Sequence, residues 1–283
     1  MIKRLGIVGS GIMGSGIAEV AAKAGIEVLL RSRKQDTADA MVAALTKSLD
    51  KQVERGKLDA TERDQVLSRV TGTHDLHALA DCDLVLESVV EDLNVKKDLF
   101  RQLDLAVKDE AILATNTSTL PVVELAVVTE RPERVCGIHF FNPAPMMSLV
   151  EVVRPLTASN ETIVTARGFA ETCGKEPVEV KDRAGFIVNA LLFPYLNNAV
   201  RMLETGTASR DDIDSAMKGG CNFPMGPLAL LDLVGLDTSL AILDALYDEF
   251  RDPNYAAVPT LRRMVAAGHL GRKTGQGFHD YRK

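Results

Sequence analysis

The sequence predicts an α/β chain: a doubly wound, mostly parallel sheet with a helical hairpin insertion, followed by an all-helical C-terminal domain. Three observations carry that prediction. Short aliphatic and β-branched runs alternate with helical patterns through the first 182 residues, as in a parallel sheet covered on both faces. A glycine-rich turn, Gly9-Ser10-Gly11-Ile12-Met13-Gly14, separates the first such run from the first helical pattern. Beyond residue 182 every segment reads as helix. A length of 283 residues is too much for one small core and suits two ordinary domains, here 1–182 and 183–283.

Taken in order, residues 2–9 (IKRLGIVG) are strand-like, 12–23 helix-like and 27–31 (EVLLR) strand-like again. From Asp36 to about Val70 the pattern is helical and heavily charged. Gly56 breaks it, and Asp59-Ala60-Thr61-Glu62 has the form of a capping box that restarts it. This predicts a hairpin of helices projecting from the sheet, with its charges solvated. Further strands are expected at 84–86, 111–115, 135–139, 149–153 and 178–181, before a short break at 183–185. Residues 186–200 are apolar almost all round, which predicts a helix buried in its domain or in a subunit interface, kinked at Pro194. Ser209, with Asp212 in the following turn, predicts another helix start.

Composition removes several classes of function. At 46% hydrophobic and 25% charged residues, the chain is neither disordered nor fibrous. A net charge of −6 without a Lys/Arg-rich block argues against a nucleic-acid or membrane-surface partner. The four cysteines, Cys82, Cys136, Cys173 and Cys221, form no C-x-x-C, so neither a zinc site nor a disulfide framework is expected. Scattered reduced thiols, the absence of an 18-residue apolar run and a strand-like start predict a cytoplasmic protein.

The glycine turn points to a dinucleotide. Gly9 makes the tight turn, Gly11 admits a pyrophosphate close to the backbone, and Gly14 lets the helix pack on the sheet. Free N–H groups at the helix N-terminus then bind the anion. Three further segments carry possible chemistry: Thr115-Asn116-Thr117-Ser118, His139-Phe140-Phe141-Asn142-Pro143, and 148–153, where Glu151 interrupts an apolar run. An ionised glutamate is costly to bury alone, and His139, ending a neighbouring strand, is its most available partner. Beside a nucleotide loop, the two read as a His–Glu dyad in which the carboxylate orients the imidazole. Asn189, a polar residue in the apolar 186–200 helix, needs a partner if buried. His74 and His77 lack the companions of a metal site, and His269 and His279 read as surface residues. Met13, Met146 and Met147 are expected in the core or an acyl pocket.

The motifs GIVGSGIMGSGIA, DLVLESVVEDLNVKKDLF, ATNTSTL, GIHFFNPAPMMSLVEVV, DRAGFIVNALLFP, FPMGPLALLDLVGLDT and GRKTGQGFHDY together span residues 6–281. In these the chain resembles the L-3-hydroxyacyl-CoA dehydrogenase family, in its single-function 3-hydroxybutyryl-CoA dehydrogenase form. The resemblance implies a Rossmann-type domain followed by a helical dimerisation domain, with substrate held between them. It implies a homodimer that interconverts a short-chain 3-hydroxyacyl-CoA and its 3-oxoacyl-CoA in fatty acid or butanoate metabolism. His139 then matches the catalytic base and Glu151 its orienting partner. Ser118 and Asn189 match the polar residues near the reacting oxygen, and Asn142 the asparagine beside the nicotinamide. Glu91 and Lys96 match cofactor-contacting positions, and Lys51 lies in the region that reaches a CoA phosphate. A dehydrogenase of a free hydroxy acid or sugar acid, and a non-catalytic dinucleotide sensor, stay open as alternatives.

The cofactor is where the chain departs from that family. An NAD site wants Asp or Glu at the end of the second strand, to bond the ribose 2′-OH. Here the position is Ser32, within Arg31-Ser32-Arg33-Lys34. Ser32 removes a carboxylate that would repel a 2′-phosphate, and Arg33 offers its planar fork, with Arg31 and Lys34 adding charge. NADP is therefore expected over NAD, with NAD as a poorer substitute.

Overall fold

The aliphatic runs of the first 182 residues come together as one eight-stranded sheet in the computed structural model, which describes residues 1–282. In chain order the strands are β1 (Arg4–Val8), β2 (Glu27–Arg31), β3 (Val70–Thr73), β4 (Leu84–Glu87), β5 (Ile112–Thr115), β6 (Val135–Phe140), β7 (Leu149–Arg154) and β8 (Glu176–Lys181). Across the sheet the order is β3-β2-β1-β4-β5-β6-β7-β8. Pairing is parallel throughout except between β6 and β7. Chain order reverses direction at β1 and β4, which opens a crevice at the carboxyl ends of those strands, the usual ligand position in such sheets. The antiparallel β6–β7 pair sets His139 directly opposite Glu151. Directly opposed residues face the same side of a sheet, so a separation of twelve in the chain becomes a side-chain contact.

Helices α1 (Ile12–Lys23), α2 (Gln35–Glu54), α3 (Ala60–Ser68), α4 (Leu93–Ala106), α5 (Val123–Ala126) and α6 (Asn160–Thr172) belong to this unit. The Asp59 carboxylate accepts from Glu62 N at 2.8 Å and starts α3 as the capping pattern requires. Two features differ from expectation. The α2–α3 hairpin does not stand clear of the sheet: Met41, Leu45 and Leu49 of α2, with Leu58 and Val66, join the core built on α1 and the sheet. Their i, i+4, i+8 spacing is an apolar stripe that water would not tolerate. Residues 70–73, where the helical pattern ends and the sequence predicts no strand, form an edge strand held by the ladder from Val28↔Val70 to Arg31↔Thr73. Only Val70 of the four is buried, so hydropathy alone marks it weakly.

From Arg183 onward the chain forms a second unit of helices: α7 (Val188–Glu204), α8 (Arg210–Cys221), α9 (Pro227–Val234), α10 (Leu236–Phe250) and α11 (Pro259–Ala266). Helix α7 begins two residues later than the apolar pattern, because Gly185 and Phe186 take positive φ angles of 72° and 49°. It continues past Pro194 to Glu204. Ser209 Oγ accepts from Asp212 N at 3.2 Å, as its pattern predicts. Phe193, Leu196, Leu228, Leu231, Leu243 and Leu246 anchor this unit's own core. His279 is not a plain surface residue: its Nε2 lies 2.9 Å from the Asp214 carboxylate. No helix among the described residues is long and apolar enough to cross a membrane.

Candidate active site

The glycine turn is shaped by backbone crowding on one side and openness on the other. Gly9 has φ 139°, and a Cβ there would sit 2.1 Å from Ser88 O; one at Gly14 would sit 2.6 Å from Gly9 O. Both positions exclude a side chain for packing reasons. A Cβ at Gly11, the N-cap of α1, would meet nothing within 4 Å. The space in front of the free N–H groups of α1 is open, which is the cradle that a pyrophosphate requires.

That turn forms one wall of a cavity of about 630 Å³, shared with Arg31, Ser32, Arg33, residues 88–90, Asp98 and Gln102. Ser32 is itself tied to the sheet edge by its N–H to Thr73 O at 3.0 Å. Arg31 Nε is buried and lacks a hydrogen-bond partner. Burial and the nearby Arg33 draw the Arg31 guanidinium below its usual value, with Asp75 acting in the opposite sense. The corner thus sets two guanidinium side chains, Arg31 and Arg33, beside Ser32, with Asp98 on the same cavity wall and Asp75 acting on Arg31.

The dyad stands on the carboxyl side of the same sheet. His139 is 4% exposed and Glu151 fully buried. His139 Nδ1 lies 2.8 Å from Glu151 Oε2, and Nε2 lies 3.2 Å from Ser118 Oγ. The carboxylate accepts from Nδ1–H, which fixes the tautomer and leaves the Nε2 lone pair for a hydroxyl proton. Phe141 packs on the imidazole with centroids 4.6 Å apart. Asn116 Oδ1 accepts from Phe140 N at 2.8 Å and ties the 115–118 loop to β6. Cys82, Cys136 and Cys173 offer no competing nucleophile, since burial pushes their thiols up to about 11, 12 and 12.

The other expected residues are placed as follows. Glu91 accepts from Ser118 N at 3.0 Å and from the Thr117 hydroxyl. Lys96 is 1% exposed, with its ammonium between Glu87 at 2.7 Å and Glu91 at 3.1 Å, so any influence on a bound cofactor runs through those carboxylates. Asn142 is exposed and, with Pro143–Pro145, borders a second cavity of about 480 Å³ between α1 and α2. Lys51 is exposed on the last turn of α2, one turn beyond Ser48 of that cavity. Met146 and Met147 are 78% and 41% exposed and lie outside the core, while Met13 packs against it. Asn189 stands in the first turn of α7 in the second unit, 8% exposed. The sequence reading missed Glu87, although an acidic residue closing an apolar strand run raises the same demand for a partner as Glu151, which interrupts one.

Comparison with known proteins finds relatives over almost the whole chain. Residues 4–183 match the family model described as the NAD binding domain of 3-hydroxyacyl-CoA dehydrogenase, and residues 185–281 match its C-terminal domain. A 3-hydroxybutyryl-CoA dehydrogenase of Mycobacterium tuberculosis is 48% identical over 286 residues, 99% of each chain. One from Clostridioides difficile is 48% identical over 280 residues, 99% of this chain and 100% of the relative. The crystal structure of M. tuberculosis FadB2 superposes with a TM-score of 0.97 at 48% identity, covering 99% of both chains. That of (S)-3-hydroxybutyryl-CoA dehydrogenase PaaH1 from Ralstonia eutropha gives 0.97 at 42% identity, covering 100% of both. The two family models together take in residues 4–183 and 185–281, and the chain belongs to the 3-hydroxyacyl-CoA dehydrogenase family.

Proposed function

We propose that this protein interconverts 3-hydroxybutyryl-CoA and acetoacetyl-CoA, with NADP(H) as its preferred nicotinamide cofactor and NAD(H) as a poorer one. The observation that carries the reading is the His139–Glu151 pair with the Ser118 hydroxyl at Nε2, on the same sheet as the glycine cradle. In the oxidising direction His139 Nε2 accepts the proton of the C3 hydroxyl, and in the reducing direction it returns that proton. Glu151 holds the Nδ1–H tautomer and stabilises the imidazolium as it forms. Ser118 donates to the same substrate oxygen and fixes its approach to Nε2. Gly9, Gly11 and Gly14 with the N–H groups of α1 would hold the pyrophosphate, Ser32 and Arg33 the ribose and its phosphate, and Asn142 the nicotinamide end. A nicotinamide bound there would supply the hydride chemistry, giving or accepting hydride at its C4 carbon. The cavity between α1 and α2 would take the CoA arm, with Lys51 near its phosphates.

The test is an absorbance assay with acetoacetyl-CoA and each reduced nicotinamide in turn. Consumption of NADPH with a higher kcat/KM than of NADH supports both parts of the reading. Turnover with NADH alone overturns the cofactor choice, and no turnover with either overturns the activity.

Two copies are expected to associate through the second unit, where Leu191, Met202, Phe223 and Leu233 are 72%, 44%, 43% and 50% exposed. Sedimentation equilibrium at micromolar concentration checks this, and a monomer there refutes it. Free cysteines, three of them buried, suit a cytoplasmic setting.

A further inference from the structure

A chain of hydrogen bonds crosses four strands of the sheet, and it starts from a charged cluster that the mechanism above does not use. Glu87, the last residue of β4, is fully buried. Its Oε1 accepts from Lys96 Nζ at 2.7 Å and from Val89 N at 2.6 Å, and its Oε2 accepts from Thr115 Oγ1 at 2.7 Å. Lys96 then reaches Glu91 Oε2 at 3.1 Å. The other oxygen of Glu91 accepts from Ser118 N at 3.0 Å and from the Thr117 hydroxyl. Ser118 Oγ is 3.2 Å from His139 Nε2, and His139 Nδ1 is 2.8 Å from Glu151 on β7.

Buried ion pairs are poor sources of net stability, since desolvation offsets most of their attraction; their best-attested use is to fix one arrangement among several. That use fits here. Glu91 has a side chain 40% exposed, and a carboxylate so placed on a loop would sample many rotamers. The Lys96 ammonium holds one of its oxygens and thereby aims the other at the Ser118 N–H. Lys96 in turn is fixed by Glu87, both of whose oxygens are engaged by groups on α4, β5 and the loop that follows β4. Orientation passes from the rigid end of β4 to the 115–118 loop.

We propose that Glu87, Lys96 and Glu91 form a positioning unit that sets the Ser118 hydroxyl against His139 Nε2. The inference rests on the catalytic roles proposed above for Ser118 and His139. None of the three charged residues is assigned contact with the reacting atoms; they act through Ser118.

A double-mutant cycle of Glu87→Gln and Ser118→Ala, read on kcat with acetoacetyl-CoA, tests it. Alone, Glu87→Gln is expected to lower kcat by about tenfold, and in the Ser118→Ala background it should add less than about twofold, the non-additivity of coupled residues. The dissociation constant for reduced cofactor, from nicotinamide fluorescence, should stay within about twofold of wild type, as expected when ground-state binding is untouched. Additive losses in the cycle overturn the proposal. So does an effect confined to cofactor affinity, which would assign Glu87 to the cofactor loop through Val89. A fall in Tm with unchanged kcat overturns it as well, by making the unit merely structural. If Glu87→Gln does not fold, Glu91→Gln, whose side chain is partly exposed, takes its place in the same cycle with the same expected coupling, read on kcat at saturating cofactor because Glu91 matches a cofactor-contacting position. Should Ser118→Ala leave kcat unchanged, the proposed role of Ser118 fails and the positioning role fails with it. A Ser118→Ala loss with additivity sinks the positioning role alone.

Discussion

Replacing His139 by alanine is expected to lower kcat by about 10³-fold, within the range that a positioned general acid–base contributes. Cofactor binding should be unchanged, because the glycine cradle lies between β1 and α1 and the Arg31–Arg33 corner at the end of β2, whereas His139 lies on β6. The substitution also removes the imidazole from a fully buried Glu151, and breaking a buried pair costs about 3 kcal/mol of stability. A lower Tm is therefore expected beside the lost activity. The double variant His139→Ala/Glu151→Gln separates the two effects. Removing the buried charge should recover much of the Tm and none of the turnover. Glu151→Gln alone leaves the imidazole in place but without the carboxylate that fixes its tautomer, and it should lose about 10²-fold in kcat, at the lower end of that acid–base range. Retention of most of the activity by His139→Ala would remove the dyad from the mechanism.

The second large effect concerns the cofactor. In Arg33→Ala, kcat/KM for NADPH should fall by roughly 10- to 100-fold, since a charge-assisted hydrogen bond contributes about 1.5–3 kcal/mol. The value for NADH should change little, because the 2′-hydroxyl gives that guanidinium nothing to pair with. Ser32→Asp should lower NADPH use further, by setting a carboxylate against the 2′-phosphate, and should raise NADH use by restoring the acceptor that an NAD site wants. Initial rates with one acyl-CoA concentration series and both cofactors decide this. A wild-type preference for NADH sinks it. Arg31→Met makes a further contrast: it should weaken NADPH selectively by removing one of the two guanidinium charges that line that cavity.

Much of the fold and of the candidate site is legible in the residues because each feature is local or has short-period spacing. The glycine turn announces itself between an aliphatic run and a helical pattern, and the structure shows why two of its glycines are steric necessities. The strand containing Glu151 is recognisable as apolar with one charge, and a buried charge demands a partner, which is enough to nominate His139. The caps at Asp59 and Ser209 are likewise local, each one side chain meeting a backbone N–H three residues on.

What only the tertiary structure decided are the features whose energy comes from partners far along the chain. Strand β3 exists because β2 offers a free ladder edge at Val28–Arg31; its own four residues, with one buried, do not specify it. The α2–α3 hairpin lies against the sheet because α1 presents an apolar surface, and a heavily charged sequence conceals the stripe that meets it. Lys96 looks like a surface cation on an exposed helix start, and it becomes a buried member of a charged triad only when β4 brings Glu87 beneath it. Sequence spacing by itself determined which residues could act, through periodicity, caps and the cost of isolated charge. The folded sheet decided which of them touch, because burial and strand register are properties of neighbours that the local chain does not contain.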